Sequence, residues 1–377
     1  MKRPVMPRQP IRGLMVDPGR LTERHEFYFD LLPDLARWGY NTLWWHFLDD
    51  EGFAQKLKSH PELASPFAFT IPETKRFVTA ARSLGIDVVP EVESLGHTRS
   101  ITRLPRYAHL FNGREFGHNA LCPSHPDTLK LLKDIIPEIA DPFGGQYLHA
   151  GLDESNLSGC ERCARRLQGR PPWYVLAKHI LDVHKIVSQC GRRMIMWADP
   201  VEHHPALLKV LPKDIVLAHW HYRDIPEEKI VPSVKAGFEI ICVPAISGPM
   251  VQPDAAALRN HDGMVDLSRR LTKRGSLGVV TCWWEPFRCL RDAYRPAIAY
   301  AGQAMLAKRA LDKDAFFKQF ARDFFGSRDA RTGKALKELH EIILPFAHVK
   351  AMMCDSLGDM VTAINLSLQA TTRGRVL

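Results

Sequence analysis

Several features that would assign a function class at once are missing from this chain. No apolar run approaches the roughly 20 residues of a membrane-spanning helix, so no membrane partner is expected. The first ten residues, Met1 to Pro10, are basic and proline-rich and lack the apolar core of a secretory leader, which makes the cytoplasm the expected location. No G-x-G-x-x-G follows the first strand-like run. Asp17-Pro18-Gly19-Arg20 stands there instead, which argues against a dinucleotide-binding open sheet. Nowhere do aromatic residues interleave with basic ones along a groove-like stretch. The net charge of +9 is spread along the chain, and the short cluster Arg162, Arg165, Arg166 and Arg170 reads as a solvated face, so nucleic acid is not an expected partner. The eight cysteines contain one metal-like spacing, Cys160-x-x-Cys163, with no second pair to complete a zinc motif. A local structural pair is the expectation there, with no metal and no cofactor. Cys242 and Cys282 sit inside apolar runs, as buried free thiols do.

What is present is a repeat of one pattern over 377 residues: an apolar run of strand type, a polar loop, then an amphipathic helical stretch. The predicted strands are Ile11–Val16, Thr42–Phe47, Ile86–Val92, Tyr147–Gly151, Arg193–Trp197, Ile215–Trp220, Glu239–Val243 and Leu277–Trp283. Helices are predicted between them at Glu23–Trp38, Pro72–Leu84, Asp127–Ala140, Trp173–Gln189, Glu227–Ala236 and Met264–Lys273, with Tyr294–Ala307 after the last strand. Ser94 to about Pro126 reads as a long loop. Continuous apolar strands buried on both faces, each followed by a helix, predict a parallel sheet closed into a (β/α)8 barrel. The expected organisation is a tail over 1–10, a catalytic TIM barrel over 11–310, and a helical extension over 311–377 packed on the barrel. That extension comprises Ala315–Phe324, Arg331–Met353 and Ser356–Leu368. Apolar positions in Ile342–Met353 leave two roles open, a cover for the barrel or a contact between two copies of the chain.

The stretch Gln146 to Ser155 draws attention first. An apolar strand passes through the small pair Ala150-Gly151 and ends on adjacent carboxylates, Asp153-Glu154. Two acids so close push their pKa values apart, which suits a general acid beside an ionised partner. Taken alone the pair also describes a helix cap beside a solvated glutamate. In barrels of this kind, active sites form at the carboxyl ends of the strands. Those ends carry Asp17; His46, Asp49 and Asp50; Glu91, Glu93 and His97; His149, Asp153 and Glu154; Trp197 and Asp199; Trp220, His221 and Tyr222; and Trp283, Trp284 and Glu285. Carboxylates, histidines and tryptophans on one rim suit a sugar, whose C–H faces stack on indole and whose hydroxyls take carboxylates and arginine.

In these residues the chain resembles glycoside hydrolase family 20, the β-N-acetylhexosaminidases, and most of all its compact, hexosaminidase D-like members. The matching segments run in order. They are Arg12-Gly13 with Asp17, Asn41 through Asp49-Asp50-Glu51-Gly52-Phe53, Pro90-Glu91-Val92-Glu93 through Gly96-His97, Asn119-Ala120-Leu121-Cys122-Pro123, His149 through Asp153-Glu154, and Trp283-Trp284-Glu285. The resemblance implies substrate-assisted, retaining hydrolysis of terminal GlcNAc or GalNAc, in which the sugar's own acetamido carbonyl attacks the anomeric carbon. It implies Glu154 as general acid and Asp153 as the group that orients the acetamido and stabilises the oxazolinium. His97 and His149 would support this pair. Arg12 and Glu285 would bind hydroxyls, while Trp197, Trp220 and one of Trp283 and Trp284 would wall the acetamido pocket. Tyr222 would donate to the acetamido oxygen. The small domain that precedes the barrel in larger members is not expected before Arg12. Leu152 stands where many members have glycine, and Glu93 and Leu95 replace the commoner Asp and Pro. Two other readings remain at this stage: a barrel enzyme of another class built on a divalent metal, and a sugar-binding relative without catalysis.

Overall fold

The computed structural model describes residues 9–115, 118–155, 157, 160–246, 255–284 and 294–341. Eight parallel strands close a barrel: β1 (Ile11–Val16), β2 (Thr42–His46), β3 (Asp87–Glu91), β6 (Tyr147–His149), β7 (Arg193–Trp197), β8 (Val216–Trp220), β9 (Glu239–Val243) and β10 (Ser276–Trp283), with β1 paired to β10 to complete the ring. The remaining two strands, β4 (Phe111–Glu115) and β5 (His118–Leu121), form an antiparallel hairpin inside the stretch that the sequence reads as a long loop. Its residues lack the long apolar run that marks a barrel strand, so periodicity gives no sign of it.

Alternation along each strand sorts the side chains into two cores. Met15, Trp44, Val89, Ile195, Trp197, Val216, Ala218, Ile241, Val243, Val280 and Cys282 fill the barrel interior. Their neighbours Leu14, Val16, Leu43, Trp45, Leu148, Met194, Met196 and Trp283 face the helix layer. Helix ends follow local chemistry. Gly39, at φ 94°, closes the helix His25–Trp38 in the left-handed conformation that glycine takes most easily. Thr70 and Glu73 form a reciprocal capping box that starts the helix Ile71–Ser83. The helix after β9 begins at Ala255, nine residues before the position expected from the apolar pattern alone.

Beyond the barrel, helix Lys313–Phe325 buries Phe316, Phe317 and Phe320. Tyr300 meets Phe316 edge-on, and Trp38 lies against Phe320. Helix Ala330–Glu341 follows. The expected continuation through Ile342–Met353 and Ser356–Leu368 lies outside the described residues, as does Glu285. Among the described residues no helix is long and apolar enough to cross a membrane.

Candidate active site

The carboxyl ends of β2, β3 and β6 bring the charged groups together through unusual backbone. His97, Leu152 and Glu154 all hold positive φ without being glycine, at 50°, 81° and 41°. Such conformations persist where the surrounding structure enforces them. Two glycines make room for this. A Cβ on Gly96 would collide with the carbonyl oxygen of Asp153, and one on Gly151, itself at φ 63°, would collide with the Glu93 carboxylate.

His97 is the hub. Its Nε2 lies 3.4 Å from Asp153 Oδ2 and 3.2 Å from Glu154 Oε2, and its Nδ1 lies 3.3 Å from Asp49 Oδ1. Asp49 Oδ2 is held by His46 Nε2 at 2.7 Å and by Arg20 at 2.8 Å. His46 passes on to Glu91 at 3.0 Å, and Glu91 to His149 at 3.4 Å. From the hairpin, His118 stacks on His97 with ring centres 3.9 Å apart and places Nε2 3.3 Å from Glu154 Oε2, while Asp50 fixes its other nitrogen at 2.8 Å. The Glu154 backbone N–H donates to Asp199 Oδ2 at 3.0 Å, and Trp220 Nε1 donates to Asp199 Oδ1 at 3.2 Å.

These contacts divide the acids by charge. Burial alone would raise Asp153, but the charge and hydrogen bond of His97 outweigh it and hold its pKa below the usual carboxylate value. Asp49 behaves alike: burial is outweighed by Arg20, His97 and His46, and its pKa falls well below the usual value. Burial also disfavours charge on His97, yet Asp49 and Asp153 hold its pKa well above that of an ordinary histidine. Two other carboxyls go the opposite way. Burial first, and the nearby charge of Asp153 second, push both Glu93 and Asp199 well up. The buried acids around the hub therefore divide, with Asp153 on the ionised side and Glu93 and Asp199 on the protonated side. Among the described residues no hydrogen bond reaches the buried Oδ1 of Asp153, which leaves one acceptor available beside the hub.

Aromatic side chains bound the space above. Trp197 lies in the barrel floor with its ring 4.4 Å from His149, and Trp44 packs beside both. Trp284 lies within 6.3 Å of Trp197 and donates from Nε1 to the Tyr222 hydroxyl at 2.9 Å. Trp220 packs on Tyr222 at 5.3 Å. Outward from Glu154 runs a cleft of about 440 Å³ lined by Leu157, Leu176, Glu202, His203, Trp220 and Lys229, among others. At its edge His219 and His221 contact Glu202 at 2.6 and 3.1 Å. Burial would raise Glu202, but these hydrogen bonds bring it down to about 2.

Three expected site residues lie away from the cleft. Arg12 lies at the amino end of β1, and its guanidinium donates to the carbonyls of Gly39 and Gln9, both at 2.8 Å. It is far along the strand from the rim, and its bonds tie the chain entry to the end of a helix. The arginine at the rim is Arg20, which pairs with Asp17 at 2.9 Å and lies 4.6 Å over the Trp284 ring. Of the paired tryptophans, Trp283 packs outward on Phe27 and Tyr294, because the strand pleat turns Trp284 inward. His149 is fully buried beneath Trp197 and has its pKa lowered by burial, so it braces the floor instead of lining the cleft. The sequence missed His118 and Arg20. The one legible sign of Arg20 was its three-residue spacing from Asp17.

Residues 10–247 match the family model for the glycosyl hydrolase family 20 catalytic domain. The chain belongs to glycoside hydrolase family 20. Among curated relatives, the β-hexosaminidase of Vibrio furnissii is 27% identical over 277 residues, covering 63% of this chain and 43% of that protein. The lacto-N-biosidase of Bifidobacterium bifidum is 30% identical over 163 residues, covering 41% of this chain and 14% of that protein. The chain thus spans less than half the length of the curated relatives it matches here. Its fold also matches a β-N-acetylhexosaminidase from Bacteroides fragilis, with a TM-score of 0.71 at 19% identity over 85% of this chain and 71% of that one. A family 20 exo-β-N-acetylglucosaminidase from Vibrio harveyi, in complex with N-acetylglucosamine, matches with a TM-score of 0.67 at 21% identity over 89% and 59%.

Seen as a family 20 barrel, the departures at Leu152 and Glu93 take on definite places. Leu152 is fully buried in the layer between barrel and helices, so its extra bulk does not enter the cleft. Glu93 reaches under Gly151, which clears its longer side chain.

Proposed function

We propose that this chain is an exo-acting, retaining β-N-acetylhexosaminidase that releases terminal GlcNAc or GalNAc from a glycan by a substrate-assisted mechanism. One observation carries the reading: His97 Nε2 is shared between Asp153 and Glu154, at 3.4 and 3.2 Å, below a rim of indole rings. The hexosaminidase relatives support the substrate class. In this reading Glu154, a quarter exposed at the mouth of the cleft, protonates the glycosidic oxygen and later takes a proton from water. Asp153 is ionised and has Oδ1 available for the acetamido N–H, which turns the acetamido oxygen toward the anomeric carbon. Its charge then stabilises the oxazolinium in a site shielded from water. The Tyr222 oxygen accepts from Trp284 and its O–H faces the Cys282 thiol, a weak acceptor that the acetamido oxygen would replace. Trp197, Trp220 and Trp284 enclose the acetamido methyl and the ring face, and Arg20 takes hydroxyls. No enzyme nucleophile is needed.

Release of p-nitrophenol from the β-N-acetylglucosaminide and the β-N-acetylgalactosaminide tests this, with the β-glucoside as control and a magnesium chelator present. Cleavage of the acetamido sugars alone is expected. Equal cleavage of the glucoside would remove the substrate-assisted mechanism. Asp49, Asp50, His97 and His118 also bring ligand atoms within 4.8 Å of one another, as do His46, Glu91 and Glu93 beside them and Glu202, His219 and His221 at the cleft edge, and these groupings favour a metal-assisted reading. Arg20 already supplies positive charge to Asp49, and the chelator arm separates the two.

A further inference from the structure

We propose that Cys122, Cys160 and Cys163 form a site for one zinc ion that locks the loop after Glu154 to the hairpin carrying His118. The sulfurs come from segments about 40 residues apart, yet Cys122 Sγ lies 3.4 Å from Cys160 Sγ and 3.8 Å from Cys163 Sγ, and all three fall within 4.8 Å of one another. A zinc–thiolate bond of about 2.3 Å in tetrahedral geometry separates its sulfurs by about 3.8 Å. Two sides of the observed triangle are near that size, and the third is under 4.8 Å. A disulfide bond, at about 2.05 Å, would join two of the sulfurs and leave the third without a purpose.

The surroundings suit a bound cation. Cys122 and Cys163 are buried, and Cys160 is half-buried. Ser124 Oγ lies 3.2 Å from Cys163 Sγ and Asn112 Oδ1 lies 3.6 Å from it, so oxygen atoms stand beside the three sulfurs. Three thiolates on one Zn²⁺ leave a single net negative charge, and Arg162, Arg165 and Arg166 sit on the same short helix as Cys163. Binding releases the thiol protons to solvent and involves no redox step. The sequence showed two of these ligands in a lone C-x-x-C. The third, Cys122, follows β5 and joins them only in three dimensions.

The position relative to the active site gives the ion a task. Cys160 lies six residues after Glu154. Cys122 follows directly on β5, whose first residue, His118, lies 3.3 Å from Glu154. One ion would fasten both sides of that contact.

The test uses the full chain, produced with zinc in the medium and purified without chelator, with metal measured by mass spectrometry. About one zinc per chain is expected. It should be lost in Cys160→Ser and in Cys163→Ser and kept in Cys190→Ser, whose thiol lies outside the cluster. Replacing zinc by cobalt in the unmodified chain should give the intense thiolate-to-metal charge-transfer absorption of a tetrahedral site. This second readout stands even if a serine variant fails to fold. Hydrogen exchange over 118–122 and 160–163 should accelerate when the ion is removed. A reduced protein that carries no stoichiometric zinc and gives no cobalt–thiolate band overturns the proposal. So does a Cys122–Cys160 disulfide found by peptide mapping after anaerobic isolation. Neither result depends on hydrolytic activity.

Discussion

His118 Nε2 lies 3.3 Å from Glu154 Oε2, although 36 positions separate the two residues in the chain. Asp50 holds the opposite nitrogen of His118 and His97 stacks on its ring, so the imidazole is fixed on two sides. It acts on Glu154 as a positioning residue. His118→Ala is expected to lower kcat about tenfold, within the range for general acid–base support. KM should change little, and the acidic limb of the kcat/KM profile should move. An unmoved pH profile would reduce His118 to a packing role.

Glu154→Gln keeps shape and removes the transferable proton. A drop of about 10²- to 10⁴-fold in kcat is expected for an alkyl glycoside, with a smaller drop for the nitrophenyl glycoside, whose leaving group needs little protonation. Tryptophan fluorescence should still report GlcNAc binding. A near-wild-type rate on both substrates would sink the assignment.

Asp153→Asn removes the charge that His97 stabilises. About 10²- to 10³-fold in kcat should be lost on acetamido substrates, comparable to the loss of one preorganised electrostatic partner. The preference for acetamido sugars over plain glucosides should shrink with it. A variant that retains the full preference would show that Asp153 does not orient the acetamido group.

Arg20 holds Asp17 and Asp49 and stacks on Trp284. Its removal takes one charged partner from each of two buried acids, while Asp49 keeps His46 and His97, so Arg20→Ala should cost about 1.5–3 kcal/mol of stability. Arg20→Lys should recover only part of this, because an ammonium cannot reproduce the forked geometry. Both variants should raise KM, measured beside thermal unfolding. Full recovery by lysine would argue against the fork.

Glu93 supplies a pH test of known sign. Its folded pKa is raised well above the ordinary 4.5 by burial and Asp153. Its contribution to stability is therefore complete below that ordinary value and declines as pH rises from it toward the folded pKa, because the unfolded chain ionises Glu93 first. Glu93→Gln lacks this decline. The Tm of the variant relative to the unmodified chain should climb from about pH 5 to about pH 8. A constant difference would mean that Glu93 is ionised in the fold.

The eight strand–helix repeats were legible because their causes are local: continuous apolar strands, amphipathic helices and glycine at helix ends. Asp153, Glu154, His97 and the tryptophan-rich rim were legible for a related reason, since residues just after a barrel strand must lie at one end of the barrel. Three-dimensional structure decided the rest. Whether Trp283 or Trp284 enters the cleft depends on the phase of the pleat, set by pairing Trp283 with Val16 and Cys282 with Met15, and a slip of one residue would exchange them. The exchange of Arg12 for Arg20 has a different origin, because Arg12 lies at the amino end of β1 and Arg20 in the turn beyond its carboxyl end. His118 and Cys122 reach the site through a hairpin in an apparent loop. Their distances to Glu154 and Cys163 are fixed by chain packing over about 40 residues, which no local pattern records.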